Sequence, residues 1–210
     1  MQLASSLFST FITLLITIGP VETAIVFAGL TAGVHHAARR RLAAQAILIA
    51  GFVLLLFALA GNAVLGLLHI SLPAFRVAGG ILLFLQALTL TFSSPGLSSI
   101  SESEKSDALR PGNIAVFPLA FPLIAGPGAL SAAVLLMGRA QTIGEAAGVP
   151  AMILVCLLLT WLAMFAAERL LRLLGETGAD VVSRISGILL AALAVQFVFD
   201  GLAEGPFRFA

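Results

Sequence analysis

The chain has 210 residues, of which 60% are hydrophobic and only 10% charged. An ordinary globular domain is about 45–50% apolar and about 25% charged, so no water-soluble core of this size could hide the apolar surface, and lipid is the solvent that accommodates it. A formal net charge of +1 offers no basic face to nucleic acid and no acidic field to cations, and the one cysteine excludes an intrachain disulfide or a Cys/His metal cluster.

Six stretches approach the roughly 17–25 residues that a transmembrane helix needs: 7–32, 42–68, 75–92, 114–137, 148–167 and 185–199. The first has no Lys or Arg ahead of it, so it lacks the charged leader of a cleaved signal and reads as a retained helix. It is too long for one straight span, and Gly19-Pro20 interrupts it, followed by Glu22 and Thr23. Glu22 is the one carboxylate well inside a span, where a charge costs about 2.5–3.5 kcal/mol on insertion scales and must face protein or water. Three roles are open to it: binding an ammonium, carrying a coupling proton, or capping the half-helix that follows. Gly29 and Gly33 form a small-xxx-small pair that suits packing within the bundle or between protomers.

The second span carries Asn62, and the third opens at Arg76 and contains Gln86. Residues 93–112 are polar, with Pro95, Gly96, Glu102, Glu104, Lys105, Asp107 and Arg110, and read as a linker outside the membrane. The fourth span contains Ala125-Gly126-Pro127-Gly128. The fifth holds Cys156, Thr160 and Trp161, the last read as packing. The sixth opens at Arg184, contains Gln196, and is short unless it continues past Asp200. Asn62, Gln86 and Gln196 are candidate lining residues, although buried amides often serve only to bond helix to helix. Arg76 and Arg184, at helix ends, read as anchors or ion-pair partners of loops, and Asp200 as an interfacial carboxylate. The spacing of His35, His36 and His69 offers no metal site.

Cations set the expected orientation. Arg39, Arg40, Arg41, Lys105, Arg110, Arg169, Arg172 and Arg184 lie on one side, against Arg76, Arg139 and Arg208 on the other. The richer side is expected in the cytoplasm, with both termini outside.

The halves of the chain resemble each other. Gly19-Pro20 and Gly126-Pro127 are 107 residues apart, and the helix openings Arg76-Val77-Ala78-Gly79-Gly80-Ile81-Leu82-Leu83 and Arg184-Ile185-Ser186-Gly187-Ile188-Leu189-Leu190 are 108 apart. Each half holds three spans, an odd number, so the second would cross the membrane upside down relative to the first. The sequence therefore predicts an all-α membrane protein of six spans as two inverted repeats, 1–92 and 113–210, joined by a cytoplasmic linker at 93–112, with the first and fourth helices broken at Gly-Pro.

Inverted repeats with interrupted helices are the layout of many secondary transporters, and the interruptions mark the substrate site. Proline fits the first position of a new half-helix, and glycine supplies the backbone freedom before it. Each break would leave carbonyls at one helix end and amides at the next, favouring a cation and an anion respectively. That arrangement suits a small zwitterion held by Gly19, Pro20, Glu22, Thr23, Ala125, Gly126, Pro127 and Gly128. An isolated Gly-Pro reads as a packing kink, whereas a matched pair at repeat-related positions reads as a site.

At these residues the sequence resembles the MarC family of bacterial inner-membrane proteins. HISLPAFRVAGGILLFLQAL (69–88), FPLAFPLIAGPGAL (117–130) and SRISGILLAALAVQFVFDGL (183–202) carry the likeness. The second break keeps the family's form. The first departs from it, since the family often has Asp or Asn before the proline and Gly-Asn after it, where this chain reads Gly19, Pro20, Val21, Glu22, Thr23. The resemblance implies a multi-pass protein of the bacterial inner membrane that transports small neutral amino acids such as glycine and alanine. No phosphate-binding loop suggests ATP driving, so coupling to a proton or Na+, or facilitated flux, is expected, with no cofactor and no enzymatic activity. The other readings are a transporter of another small solute, a lipid-handling or intramembrane enzyme, and a non-transporting accessory protein. The enzyme would want a nucleophile and base at membrane depth, and the sequence offers no such pair. Lipid contact is expected throughout, and self-association is compatible with the glycine pattern.

Overall fold

The computed structural model describes residues 2–31, 34–92 and 114–205. The linker expected at 93–112, Gly33 of the small-residue pair, and Arg208 lie outside them. All regular structure among the described residues is helical: α1 (Gln2–Ile18), α2 (Pro20–Leu30), α3 (His36–Leu67), α4 (Leu72–Phe92), α5 (Ala115–Ile124), α6 (Pro127–Arg139) and α7 (Ile143–Glu204). Five stretches are long and apolar enough to cross a membrane, namely Ala4–Ala28, His36–Leu67, Leu72–Thr89, Ile143–Ala167 and Arg184–Glu204. The bent pair Ala115–Ile124 and Pro127–Arg139 makes a sixth.

The helices are inside out relative to those of a soluble protein. In α3 the buried face carries mainly small residues, including Ala43, Ala46, Ala50, Gly51, Ala58 and Gly61. Leu48, Phe52, Leu59 and Leu67 point outward. Lipid solvates large apolar side chains, so helix association rests on close backbone approach at small residues. At 32 residues α3 is about 48 Å long, well beyond the roughly 30 Å hydrocarbon core. Its first turns carry Arg39, Arg40 and Arg41. Arg39 lies over the Phe27 ring at 5.2 Å and Arg40 over Phe165 at 5.8 Å, so these cations rest on aromatic faces at the ends of two other spans.

One difference from the sequence reading has a local cause. No irregular loop separates the fifth and sixth spans, because the chain stays helical on both sides of Gly175. Gly175 turns it with φ 64° and ψ 176°, a conformation open essentially only to glycine. The sixth span does continue past Asp200, to Glu204, which gives it the length it lacked.

α6 is the centre of the bundle. Gly128, Ala129, Ser131, Ala132, Ala133, Val134 and Leu135 are consecutive or nearly so, and all are buried, so this helix is enclosed on every side. Around it the apolar core divides in two. One cluster joins α1, α2, α3, α5 and the early part of α7, for example Leu14, Phe27, Leu54, Leu119 and Ile153, to α6 through Ala129 and Ala133. The other joins Leu83 and Ala87 of α4 to Leu190, Ala194 and Phe197 of late α7, and meets α6 at Ala132 and Leu135.

Three glycines bind α4 to late α7. A Cβ on Gly80 would lie 2.7 Å from the Ala194 carbonyl oxygen, one on Gly201 2.8 Å from that of Pro73, and one on Gly187 3.0 Å from that of Ala87. The three contacts run antiparallel along the pair. The division of the core therefore does not follow the two sequence halves: α4, from the first, packs with late α7, from the second.

Candidate functional site

The first break is gentle. Gly19 adopts φ 60°, the left-handed region that favours glycine. Helical bonding continues on either side of it, with the Gly19 amide donating to the Leu15 carbonyl at 3.1 Å and the Thr23 amide to the Gly19 carbonyl at 2.9 Å. Pro20 opens α2, where its missing amide hydrogen costs nothing. The Ile18 carbonyl, at the end of α1, accepts from the Thr23 hydroxyl at 3.3 Å. Thr23 is fully buried and thus mends the backbone. Thr17 likewise donates to the Thr13 carbonyl at 2.9 Å.

Glu22, in the first turn of α2, folds back on the break. Its Oε2 lies 2.6 Å from where a Cβ on Gly19 would sit. The Ser186 side chain of late α7 lies close to the carboxyl group. Its Oε1 is buried with no hydrogen-bond partner among the described residues. A buried polar atom left without a partner is costly, and at a helix start inside a membrane it marks a place for a donor, a proton or a cation.

The second break is abrupt. Phe117 and Phe121 precede Pro118 and Pro122, and both are extended (φ −131°, ψ 125° and φ −137°, ψ 129°). A residue ahead of proline is biased away from helical angles, and both phenylalanines take the extended form. The chain between them winds with the wide π-helical spacing, and the Ala125 amide closes it by donating to the Ala120 carbonyl at 2.9 Å. α6 then starts afresh at Pro127, bent 53° from α5, with Gly126 as its N-cap. Nothing but glycine fits at 126, since a Cβ would lie 2.3 Å from the Pro122 carbonyl oxygen. The first-turn amides of α6 have no acceptor within their own helix.

Gln86 of α4 lies beside the start of α6. Its Oε1 is 3.1 Å from the Cβ position of Gly128 and 3.7 Å from that of Gly126. Ser186 precedes Gly187, which packs against Ala87 and Thr91, so the Glu22–Ser186 contact and Gln86 sit within about a turn or two of each other in depth.

The other candidates lie elsewhere. Asn62 of α3 faces the far end of α6, its Oδ1 3.2 Å from the Cβ position of Gly138. Gln196 donates to Asp200 Oδ1 at 2.7 Å and belongs to a charged group at that same far end. There Asp200 also pairs with Arg139, and Arg76 Nη1 lies 2.6 Å from Glu204 Oε1. Arg76 partners a helix residue, not a loop, and is 1% exposed. Cys156 is buried with the Phe11 carbonyl 3.8 Å from its sulfur, and Trp161 packs edge-on to Phe165 at 4.8 Å. No group of His, Cys, Asp or Glu able to hold a metal occurs among the described residues.

Ser186 is the site residue that sequence reasoning missed. The only signal for it was its place in the Arg-Ile-Ser-Gly opening of the last span, where a serine beside a glycine reads as helix packing.

Residues 4–205 match the MarC family integral membrane proteins. A UPF0056 membrane protein of Archaeoglobus fulgidus is 34% identical over 200 residues, covering 95% of this chain and 93% of its own. The UPF0056 membrane protein YhcE of Escherichia coli K12 is 34% identical over 195 residues, 93% of this chain and 91% of its own. YvbG of Bacillus subtilis 168, another UPF0056 membrane protein, is 32% identical over 193 residues, 91% and 92%. No solved structure matches the chain. A family match over residues 4–205, with relatives 30% or more identical over nearly the whole chain, means that the chain belongs to the MarC family of integral membrane proteins.

Proposed function

We propose that the protein is a secondary transporter of small neutral amino acids of the glycine and alanine class, coupled to a proton or Na+, in the bacterial inner membrane. The observation that carries this reading is the pair of helix breaks deep in the bundle with a polar group over each. Glu22, with one carboxylate oxygen lacking a partner among the described residues, lies at the first, and Gln86 lies beside Gly126 and Gly128 at the start of α6 at the second. In this reading the substrate carboxylate rests on the first-turn amides of α6, beside the Gln86 carboxamide. The substrate ammonium or the coupling cation is met by Glu22. The space at both glycines is filled in this conformation, by the Pro122 carbonyl at Gly126 and by Leu83 at Gly128, so a solute would enter only when α4 moves away from α6.

The proposed movement is alternating access. The divided core supports α4 and late α7 as the moving pair, sliding against α6 over small residues. An inverted relation between the two sequence halves is supported by their matching Gly-Pro positions and by the antiparallel pairing of α4 with late α7. A cytoplasmic location for Arg39–Arg41 follows from the cation count.

The test is uptake into proteoliposomes of labelled glycine, alanine and serine, with thermal-shift binding in detergent, for the parent protein and Glu22→Gln. Saturable uptake that falls at least about tenfold in the variant, with unfolding temperature held or raised, is the expected result. Folded protein that neither binds nor moves any of the three would remove the amino-acid assignment and leave another solute or a lipid. Uptake unaffected by Glu22→Gln would keep transport and take Glu22 out of the site.

A further inference from the structure

The charged group at the far end of the bundle has no part in the solute site, and its geometry crosses the division of the core. Gln196, Asp200 and Glu204 are spaced four apart on the last helix and so share one face. Glu204 binds Arg76, which lies within the α4–late α7 unit already bonded through Gly80, Gly187 and Gly201. Asp200, steadied by Gln196, binds Arg139 at the end of α6, and this pair joins the two units.

We propose that Arg139–Asp200 is the latch of a gate at this end of the bundle, holding α6 closed against the α4–late α7 unit. Three observations carry it. First, the surface behind the latch is built to part: Ser131 of α6 faces Gly79 of α4, and Leu72 of α4 rests on Gly138 of α6, so in each contact one partner is a glycine with no side chain to disengage. Second, the latch is of the exposed kind, with Arg139 44% and Asp200 24% exposed. An exposed ion pair contributes little stability and can break and reform, as a gate requires. Third, Arg76 lies behind it as the largest fully buried side chain, with its Nε lacking any hydrogen-bond partner among the described residues. A buried guanidinium incompletely paired is costly, so hydration of Arg76 favours opening and the latch opposes it. Two opposed terms of this kind set a bistable element that needs only a small bias. Glu22–Ser186 makes the corresponding contact between α2 and late α7 at the other side of the division.

The inference rests on the alternating-access reading, but its test needs no solute and so fails or succeeds apart from it. Ser131 is 3% exposed. In a Cys156→Ala background, Ser131→Cys supplies one reporter thiol, probed with a membrane-impermeant maleimide in sealed vesicles of each orientation. Arg139→Gln and Asp200→Asn are each expected to speed labelling about fivefold, from the side bearing Arg139 only. Arg139→Lys, which keeps the charge, should label at a rate between parent and Arg139→Gln. Gln141→Ala, exposed at the same end, should leave the rate at the parental value. Unchanged labelling in both Arg139→Gln and Asp200→Asn overturns the latch. So does an equal rise from both sides of the membrane, which would mean general loosening of the bundle.

Discussion

The carboxylate of Glu22 occupies the space that a side chain on Gly19 would need: Oε2 lies 2.6 Å from the Cβ position there. Gly19 is therefore constrained twice, by this contact and by its φ of 60°. Gly19→Ala is expected to destabilise the protein by about 1–2 kcal/mol from the left-handed backbone alone, and to push the Glu22 carboxyl off the break. Thermal unfolding in detergent measures the first effect. Uptake measures the second, and should fall further than the loss of folded protein accounts for.

Ser186 reaches the same carboxylate from the opposite unit of the core. A neutral polar contact contributes about 0.5–1.5 kcal/mol, so Ser186→Ala should lower uptake about three- to tenfold. The informative comparison is the double variant. If the serine acts through Glu22, adding Ser186→Ala to Glu22→Gln should change little beyond Glu22→Gln alone, whereas independent roles would multiply.

Gln86 tests the second break separately. Leucine is close to glutamine in size and keeps the helix, but it removes the carboxamide facing Gly126 and Gly128. Gln86→Leu should raise the KM for glycine about five- to tenfold, the cost of one polar contact, with maximal rate and unfolding temperature near the parent's. A fall in maximal rate with unchanged KM would assign Gln86 to the movement and not to the solute.

The chain order of spans, the Gly-Pro breaks and the isolation of Glu22 were legible in the sequence because lipid enforces long apolar runs and makes each exception conspicuous. Three things were not. The wide winding of α5 accompanies extended Phe117 and Phe121 ahead of Pro118 and Pro122, while attention to Gly126-Pro127 alone suggests a plain helix with one kink. The burial of Arg76 beside Glu204 of late α7 depends on tertiary packing, and a cation near a helix end ordinarily reads as an interfacial anchor. The separation of Gln196 from Gln86 depends on which face of each helix turns inward. Hydrophobicity all round leaves that face unmarked, because in a membrane the buried stripe is distinguished by smallness.

That rule gives the last prediction. Gly80 and Gly201 sit where α4 and late α7 touch backbone to backbone, and added Cβ atoms would lie 2.7 Å from the Ala194 and 2.8 Å from the Pro73 carbonyl oxygens. Backbone cannot rotate aside as a side chain can, so Gly80→Ala or Gly201→Ala should destabilise by about 1–3 kcal/mol through overpacking. Gly66, near the end of α3, has nothing within 4 Å of its Cβ position. Gly66→Ala should instead be neutral or stabilise by up to about 1 kcal/mol, since alanine is the better helix former. Thermal unfolding of the three variants in one detergent decides the matter. A loss at Gly66 equal to that at Gly80 would mean that helix propensity and lipid contact, not the α4–late α7 seam, govern these positions, and the moving pair would lose its physical basis.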